Sequence, residues 1–219
     1  MEGKSFKGIV KCRVIEVRFG TSGKVASVAK KIGDSVKKGE LLASLDRKSF
    51  QMELDRQLTD YERVRAEFEI FNLEKGEPKD DVARFLKTQK QSQLNASVKD
   101  VELAKVKMDM ADLFSPIEGL IVDDSNIVAG IYVTPSSNPF KIAENKFFLE
   151  MEADQDEVAL FLEPQKLTLK IPGLDKVIET TSLLPVLPGS KGKFLIKANL
   201  EDSLGFISGL VAEAVIGDK

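Results

Sequence analysis

Between Glu40 and Ser115 the apolar residues change their spacing from about two to between three and four, and afterwards change back. From Glu40 to Lys75 there is no Gly and no Pro. Gly76-Glu77-Pro78 interrupts, and both are absent again from Lys79 to Ser115. Leu54, Leu58, Tyr61, Val64, Phe68 and Phe71 follow steps of four and three, as do Leu94, Val98, Val101, Ala104 and Met108. Each set predicts an apolar stripe on one face of a long helix. Lys75 and Gly76 suit a helix end, and Pro78 with Asp80 and Asp81 suits the next start. So short a break makes the helices antiparallel, and the pair is predicted to be a helical hairpin.

On either side the pattern is that of strands. Ser5 to Phe19 alternates β-branched and aromatic residues with charged ones. Short apolar runs then lie between glycines: Gly23-Lys24-Val25, Gly33-Asp34-Ser35-Val36, Gly39 and Leu41-Leu42. After the hairpin, Gly119 leads into Leu120-Ile121-Val122, and Gly130 into Ile131-Tyr132-Val133. Val36 and Val133 each follow the second glycine of their half by three positions. This is a weak internal repeat with the hairpin between its copies. Gly33, Gly39, Gly119 and Gly130 are expected to be structural turn residues.

From Asn145 onward four segments alternate: Leu149 to Ala153, Leu167 to Ile171, Phe194 to Leu200, and Leu210 to Ile216. Turns are expected at Pro164, Pro172-Gly173, Pro188-Gly189 and Ser208-Gly209. The set predicts a small barrel or sandwich, joined by the N-terminal strand, which would cover an open edge. Asp154-x-x-Glu157 has capping-box spacing and predicts a short helix there.

Composition removes several classes of function. Among 219 residues there is one cysteine, Cys12, and no histidine. An intrachain disulfide is impossible, and His/Cys zinc sites and Ser-His-Asp or Cys-His catalytic sets are excluded for a single chain. A net charge of −3, from 32 basic and 35 acidic residues, gives no reason to expect nucleic acid as a partner. Met108 and Met110 are two residues apart on different helix faces, a packing arrangement more than a soft-metal site. No metal or cofactor is expected. No run is long and apolar enough to span a bilayer, and none near Met1 has the form of a signal peptide. Two readings stay open: a cytoplasmic protein, or a chain that begins after its targeting segment.

Gly33-Asp34-x-Val36-x-x-Gly39-x-x-Leu42 before a helical hairpin is similar to the first half of a biotinyl/lipoyl-like domain. Ser115-Pro116-Ile117-Glu118-Gly119-Leu120-Ile121 resembles the opening of the second half. Asp154-Gln155-Asp156-Glu157-Val158 and Gly209-x-x-Ala212-x-Ala214-x-Ile216 resemble the entry and the last strand of a following barrel. In that order the motifs resemble the membrane fusion protein, or periplasmic adaptor, family of the haemolysin-D kind over nearly the whole chain. The resemblance implies an α+β, mainly β fold: a split biotinyl/lipoyl-like β domain, interrupted by an antiparallel α-helical hairpin and followed by a small β-barrel domain. The expected division is 1–20 as an N-terminal strand joining the barrel, 21–46 and 114–144 as the two lipoyl-like halves, 47–113 as the hairpin, and 145–219 as the barrel.

The resemblance also implies a function: a non-enzymatic adaptor subunit of a multicomponent export or efflux system. Its implied partners are an inner-membrane transporter (RND or ABC type), an outer-membrane channel protein and further copies of itself in a ring. It implies a place in the periplasm or cell envelope, with an anchor to the inner membrane through an N-terminal segment absent from this chain. The pattern departs from the family in two ways: the chain ends just past the barrel-like strand, and Arg84, Thr88 and Asn95 stand where the family's hairpin tip carries Arg, Leu and Ser. Two other classes of function compete. A cytoplasmic coiled-coil scaffold or binding module would have no need of the flanking β halves. A lipoyl or biotin carrier would present a lysine on a β-turn, whereas Lys48 stands where the hairpin begins and Ser115 follows far too late.

The candidate partner-binding site is the end of the hairpin. Phe71, Leu73, Phe85 and Leu86 gather around Gly76, with the charged Lys75, Glu77 and Lys79 between them. They either close the hairpin as a small apolar cluster or stay exposed for a channel protein or a neighbouring hairpin.

Overall fold

The computed structural model describes residues 4–172, 174–189, 192–200 and 208–216. The chain folds as two compact units, the first made of residues 1–15, 117–122 and 141–219, the second of residues 16–116 and 123–140. The expected turn residue Gly173 lies outside the described residues.

The first unit is a closed β-barrel. Its strands are β1 (Ser5–Val17), β8 (Phe140–Ala153), β9 (Lys166–Ile171), β10 (Leu174–Pro188), β11 (Phe194–Leu200) and β12 (Val211–Ile216). The order is β1-β12-β9-β10-β11-β8, and β8 returns to β1. Among the described residues, closure pairs each of these six strands on both sides. Strand alternation decides what lies inside: Leu167, Leu169 and Ile171 of β9, Ile196, Ala198 and Leu200 of β11, and Ala212 and Ala214 of β12 are buried. The register sets Gly8 opposite Ala212, two small residues together, and the small Ala198 opposite the large Leu149. A Cβ on Gly8 would come within 2.7–2.9 Å of Met151 and Leu149, so this glycine makes room for two core side chains.

The expected capped helix is α3 (Gln155–Val158). The Glu157 carboxylate accepts from the Asp154 backbone N–H at 2.9 Å and pairs with Lys4 at 3.0 Å. These contacts, the backbone one first, lower the Glu157 pKa below its ordinary value of 4.5. A single 3₁₀ turn, Ala159–Phe161, then inserts Phe161 into the barrel core, edge to face with Phe6 at 5.2 Å between ring centres.

The sequence pattern does not reveal β10. Two consecutive leucines break its alternation, and its register to β11 shifts between Leu183 and Leu187, the interval that holds Pro185. Proline has no N–H to give to a ladder, so the strand is kept through a bulge.

The second unit holds the hairpin and the sheet that carries it. Strands β2 (Gly23–Val28), β4 (Leu41–Leu45), β5 (Asp112–Phe114) and β7 (Tyr132–Val133) form a sheet ordered β5-β4-β2-β7, and β3 (Ser35–Val36) follows β2 in the chain. Val25, Val36, Leu42, Leu45, Leu113, Ile127, Val133 and Phe140 are buried. Strand β4 precedes helix α1 (Lys48–Lys75), and α2 (Asp81–Asp109) precedes β5. β4 and β5 pair antiparallel, Ala43 opposite Leu113 and Ser44 opposite Asp112, so the sheet brings both ends of the hairpin together. Arg47 adds an ion pair to Asp112 at 2.7 Å across this junction.

The four expected turn glycines divide. Gly33, Gly39 and Gly130 have φ of +90°, +80° and +97°, with nothing within 4 Å of where a Cβ would sit. Only backbone strain opposes a side chain there, so valine at each should cost on the order of 1–2 kcal/mol. Urea unfolding of the three single variants measures this, and three unchanged midpoints would mean that the turns rebuild without strain. Gly119 differs: it opens strand β6 (Gly119–Asp123), has no positive φ, and lies against the Ala143 carbonyl. Its constraint is space and not turn geometry, which corrects the expectation that it is a turn residue.

Candidate functional site

Helices α1 and α2 have 28 and 29 residues. At a rise of ~1.5 Å per residue each is about 42 Å long. They pack as an antiparallel pair whose half-buried or buried positions repeat every three and four residues. On α1 these are Leu54, Gln57, Tyr61, Val64, Phe68 and Phe71; on α2, Lys87, Lys90, Leu94, Ser97, Val101, Ala104 and Met108. This is the seam of a short coiled coil. Leu58, which the sequence placed on the stripe, is exposed, and Gln57 takes its place. Both fit between Leu54 and Tyr61 by spacing; the seam here runs at the heptad step of three. Gln57 is bonded to Glu53 at 2.8 Å on its own helix. The outer face of α1 carries ladders of charge: Arg63 between Asp60 and Glu67, and Arg65 with Glu69. The hydrogen bonds that Arg63 donates to Asp60, and then to Glu67, raise its pKa further.

The turn is built by its own residues. Gly76 takes φ +62° and its N–H donates to the Asn72 carbonyl at 3.0 Å. Asp80 caps α2, its carboxylate accepting from the Ala83 N–H at 2.7 Å. Arg84 pairs with Asp81 at 2.8 Å and stands 5.7 Å from the centre of the Phe85 ring.

Around this turn the apolar residues do not close into a cluster. Leu73 is 86% exposed and Phe85 67% exposed, and Leu86 is exposed as well. Phe71 alone of the four is turned into the seam, where it is half-buried. Lys75, Glu77 and Lys79 are exposed, and Lys87 reaches Glu77 at 3.6 Å. Two exposed residues, Ile70 and Val82, extend the apolar face and escaped the sequence reading. Their signal was available: Ile70 and Leu73 are three apart, as are Val82 and Phe85, each off the seam register.

Other sequence candidates fall elsewhere. Lys48 is the first residue of α1, its N–H held by Asp46 at 3.0 Å, and so stands on a helix and not on a β-turn. Cys12 is half-buried in β1. Among the described residues no group of three or more His, Cys, Asp or Glu side chains could hold a metal ion. Among them, too, no helix is long and apolar enough to cross a membrane.

A barrel, together with a β domain that is interrupted by a helical hairpin, is the architecture of membrane fusion proteins. The CzcB-like, barrel-sandwich hybrid domain family matches residues 13–144, more than half of the chain, and the chain belongs to it. The fold is similar to that of a MacA-MexA chimeric protein containing the Pseudomonas aeruginosa MexA α-hairpin domain. The TM-score is 0.82 at 19% identity, over 99% of this chain and 79% of that one. It is similar to the membrane fusion protein Spr0693 from Streptococcus pneumoniae R6, with a TM-score of 0.80 at 15% identity over 99% of both chains. ZneB from Cupriavidus metallidurans is also similar, with a TM-score of 0.60 at 16% identity over 98% of both. No curated protein matches the sequence significantly.

Proposed function

We propose that this chain is a non-enzymatic adaptor subunit of an export or efflux system in the cell envelope. In this reading it assembles into a ring with further copies of itself and bridges an inner-membrane transporter to an outer-membrane channel protein. The end of the hairpin meets the channel. One observation carries the proposal: a rigidly based helical pair ends in Ile70, Leu73, Val82, Phe85 and Leu86, all exposed. Exposed large apolar residues gathered at one end of an element mark a surface that another protein covers. The membrane fusion proteins that share this fold support the same reading.

The hairpin base is fixed by the β4–β5 pairing, so a change at the tip leaves the sheet intact. Replacing residues 72–80 by a short Gly-Asn turn should preserve the fold and abolish export in cells. Leu73→Asp with Phe85→Asp should do the same with stability changed by less than ~1 kcal/mol, because both positions are exposed. Survival against a toxic compound cleared by the intact system is the readout, alongside the unfolding midpoint of the purified variants. Normal export by both variants would move the contact surface away from the tip. A cytoplasmic scaffold, the rival class, would show no export defect and would be found away from the envelope on fractionation.

A further inference from the structure

We propose that the distal part of the hairpin, beyond Phe68 on α1 and before Leu94 on α2, opens as a unit of its own while the rest of the α1–α2 seam stays shut. The seam changes character at Phe68 and Leu94. On the base side it is filled by Leu54, Tyr61, Val64, Val98, Val101, Ala104 and Met108. The two polar side chains there are satisfied within their own helices: Gln57 on Glu53 at 2.8 Å, and Ser97 on the Leu94 carbonyl at 2.8 Å.

On the distal side the heptad positions of α2 pass to lysines. Lys90 and Lys87 keep only 37% and 35% of their side-chain exposure, the consequence of lying along the seam. Their partners are remote. Lys90 stands 3.9 Å from Glu67, and Lys87 stands 3.6 Å from Glu77, itself 93% exposed. Pairs this long and this wet add little stability. Asn72, in the same distal stretch of α1, has its Oδ1 buried with no hydrogen-bond partner, a further penalty on the closed state. Opening the distal arms therefore breaks only two long, wet ion pairs, hydrates one amide oxygen, and gives up little apolar burial beyond Phe71. Opening the base would expose the whole apolar seam. A coiled coil with cationic core positions at one end and apolar ones at the other separates from the cationic end first.

The open form would release Phe71 to join Leu73 and Phe85, and so give the docking end more than one arrangement for a partner to select. That consequence rests on the tip reading above; the opening itself does not.

Hydrogen exchange of the full chain, read by peptide mass, tests the opening without any partner. Amides of residues 69–92 should exchange at least about tenfold faster than those of 54–64 and 97–106. Lys87→Leu with Lys90→Leu should slow the distal amides by at least about tenfold and leave the base amides unchanged. Asn72→Leu alone should slow the same amides by a smaller factor, and serves if the double variant self-associates. Distal amides as protected as those of the base would overturn the proposal, as would distal exchange indifferent to these substitutions. Loss of partner docking in a tip variant would leave the exchange result untouched, so the two ideas fail separately.

Discussion

Gly119→Val should lower the stability of the barrel unit by roughly 3 kcal/mol or more, and even Gly119→Ala should be strongly destabilising. A Cβ at this position would overlap the carbonyl oxygen of Ala143 and stand 3.1 Å from a side-chain carbon of Ile142. The first contact is with backbone, which cannot rotate away as a side chain can. β6 would have to separate from β8, its neighbour in the sheet, at a point where Ile121, Ile142 and Ala143 are buried. For a cooperative unit of this size the loss corresponds to a drop in its melting temperature of roughly 12–24 °C. Gly33→Ala is the control, since nothing lies within 4 Å of its Cβ site and only its φ resists change. Equal, small shifts for the two variants would mean that the β6–β8 approach relaxes freely and that Gly119 is dispensable.

The second large effect is expected at Phe161. Phe161→Ala should cost about 3–5 kcal/mol, the range for removing a fully buried aromatic side chain. Its ring is fully buried within the barrel core and stacks edge to face on Phe6. It arrives from a one-turn helix and not from a strand, so no neighbouring side chain follows it inward to fill the space. Phe161→Leu keeps most of the volume and should cost far less, on the order of 1–2 kcal/mol. Urea unfolding followed by far-UV circular dichroism separates the two. Because the chain has two units, the transition is to be resolved for the barrel and not read as one step. An alanine variant within ~1 kcal/mol of the native protein would show that the core collapses around the cavity.

How much of this molecule could be read from its residues depends on the range of the interaction concerned. The two helices, the break at Gly76 and the Asp80 cap follow from period, propensity and capping chemistry, all settled within a few residues. The same holds for the alternating strands of the barrel and for the capped helix at Asp154. Strand β10 escaped because its signal is local too, and is broken locally by the leucine pair and Pro185; its place comes from hydrogen bonds to β9 and β11.

At the hairpin end, the residues around the turn were legible as apolar, and two outcomes stayed open for them. The choice between a closed cluster and an exposed face belongs to the angle at which two helices meet, which no single helix encodes. The structure leaves Leu73 and Phe85 outside, admits Phe71 to the seam and adds Ile70 and Val82 to the exposed face. In the same way, spacing allows either Gln57 or Leu58 into the seam, and the packing of α2 admits Gln57. The sequence by itself determined the helical hairpin, the β halves on either side of it and most strands of the barrel, because repeat period and turn chemistry act between near neighbours. Only the tertiary structure decided the roles of Gly8 and Gly119, the entry of Phe161 into the barrel and the lysines in the distal seam, because each depends on the distance between residues far apart in the chain.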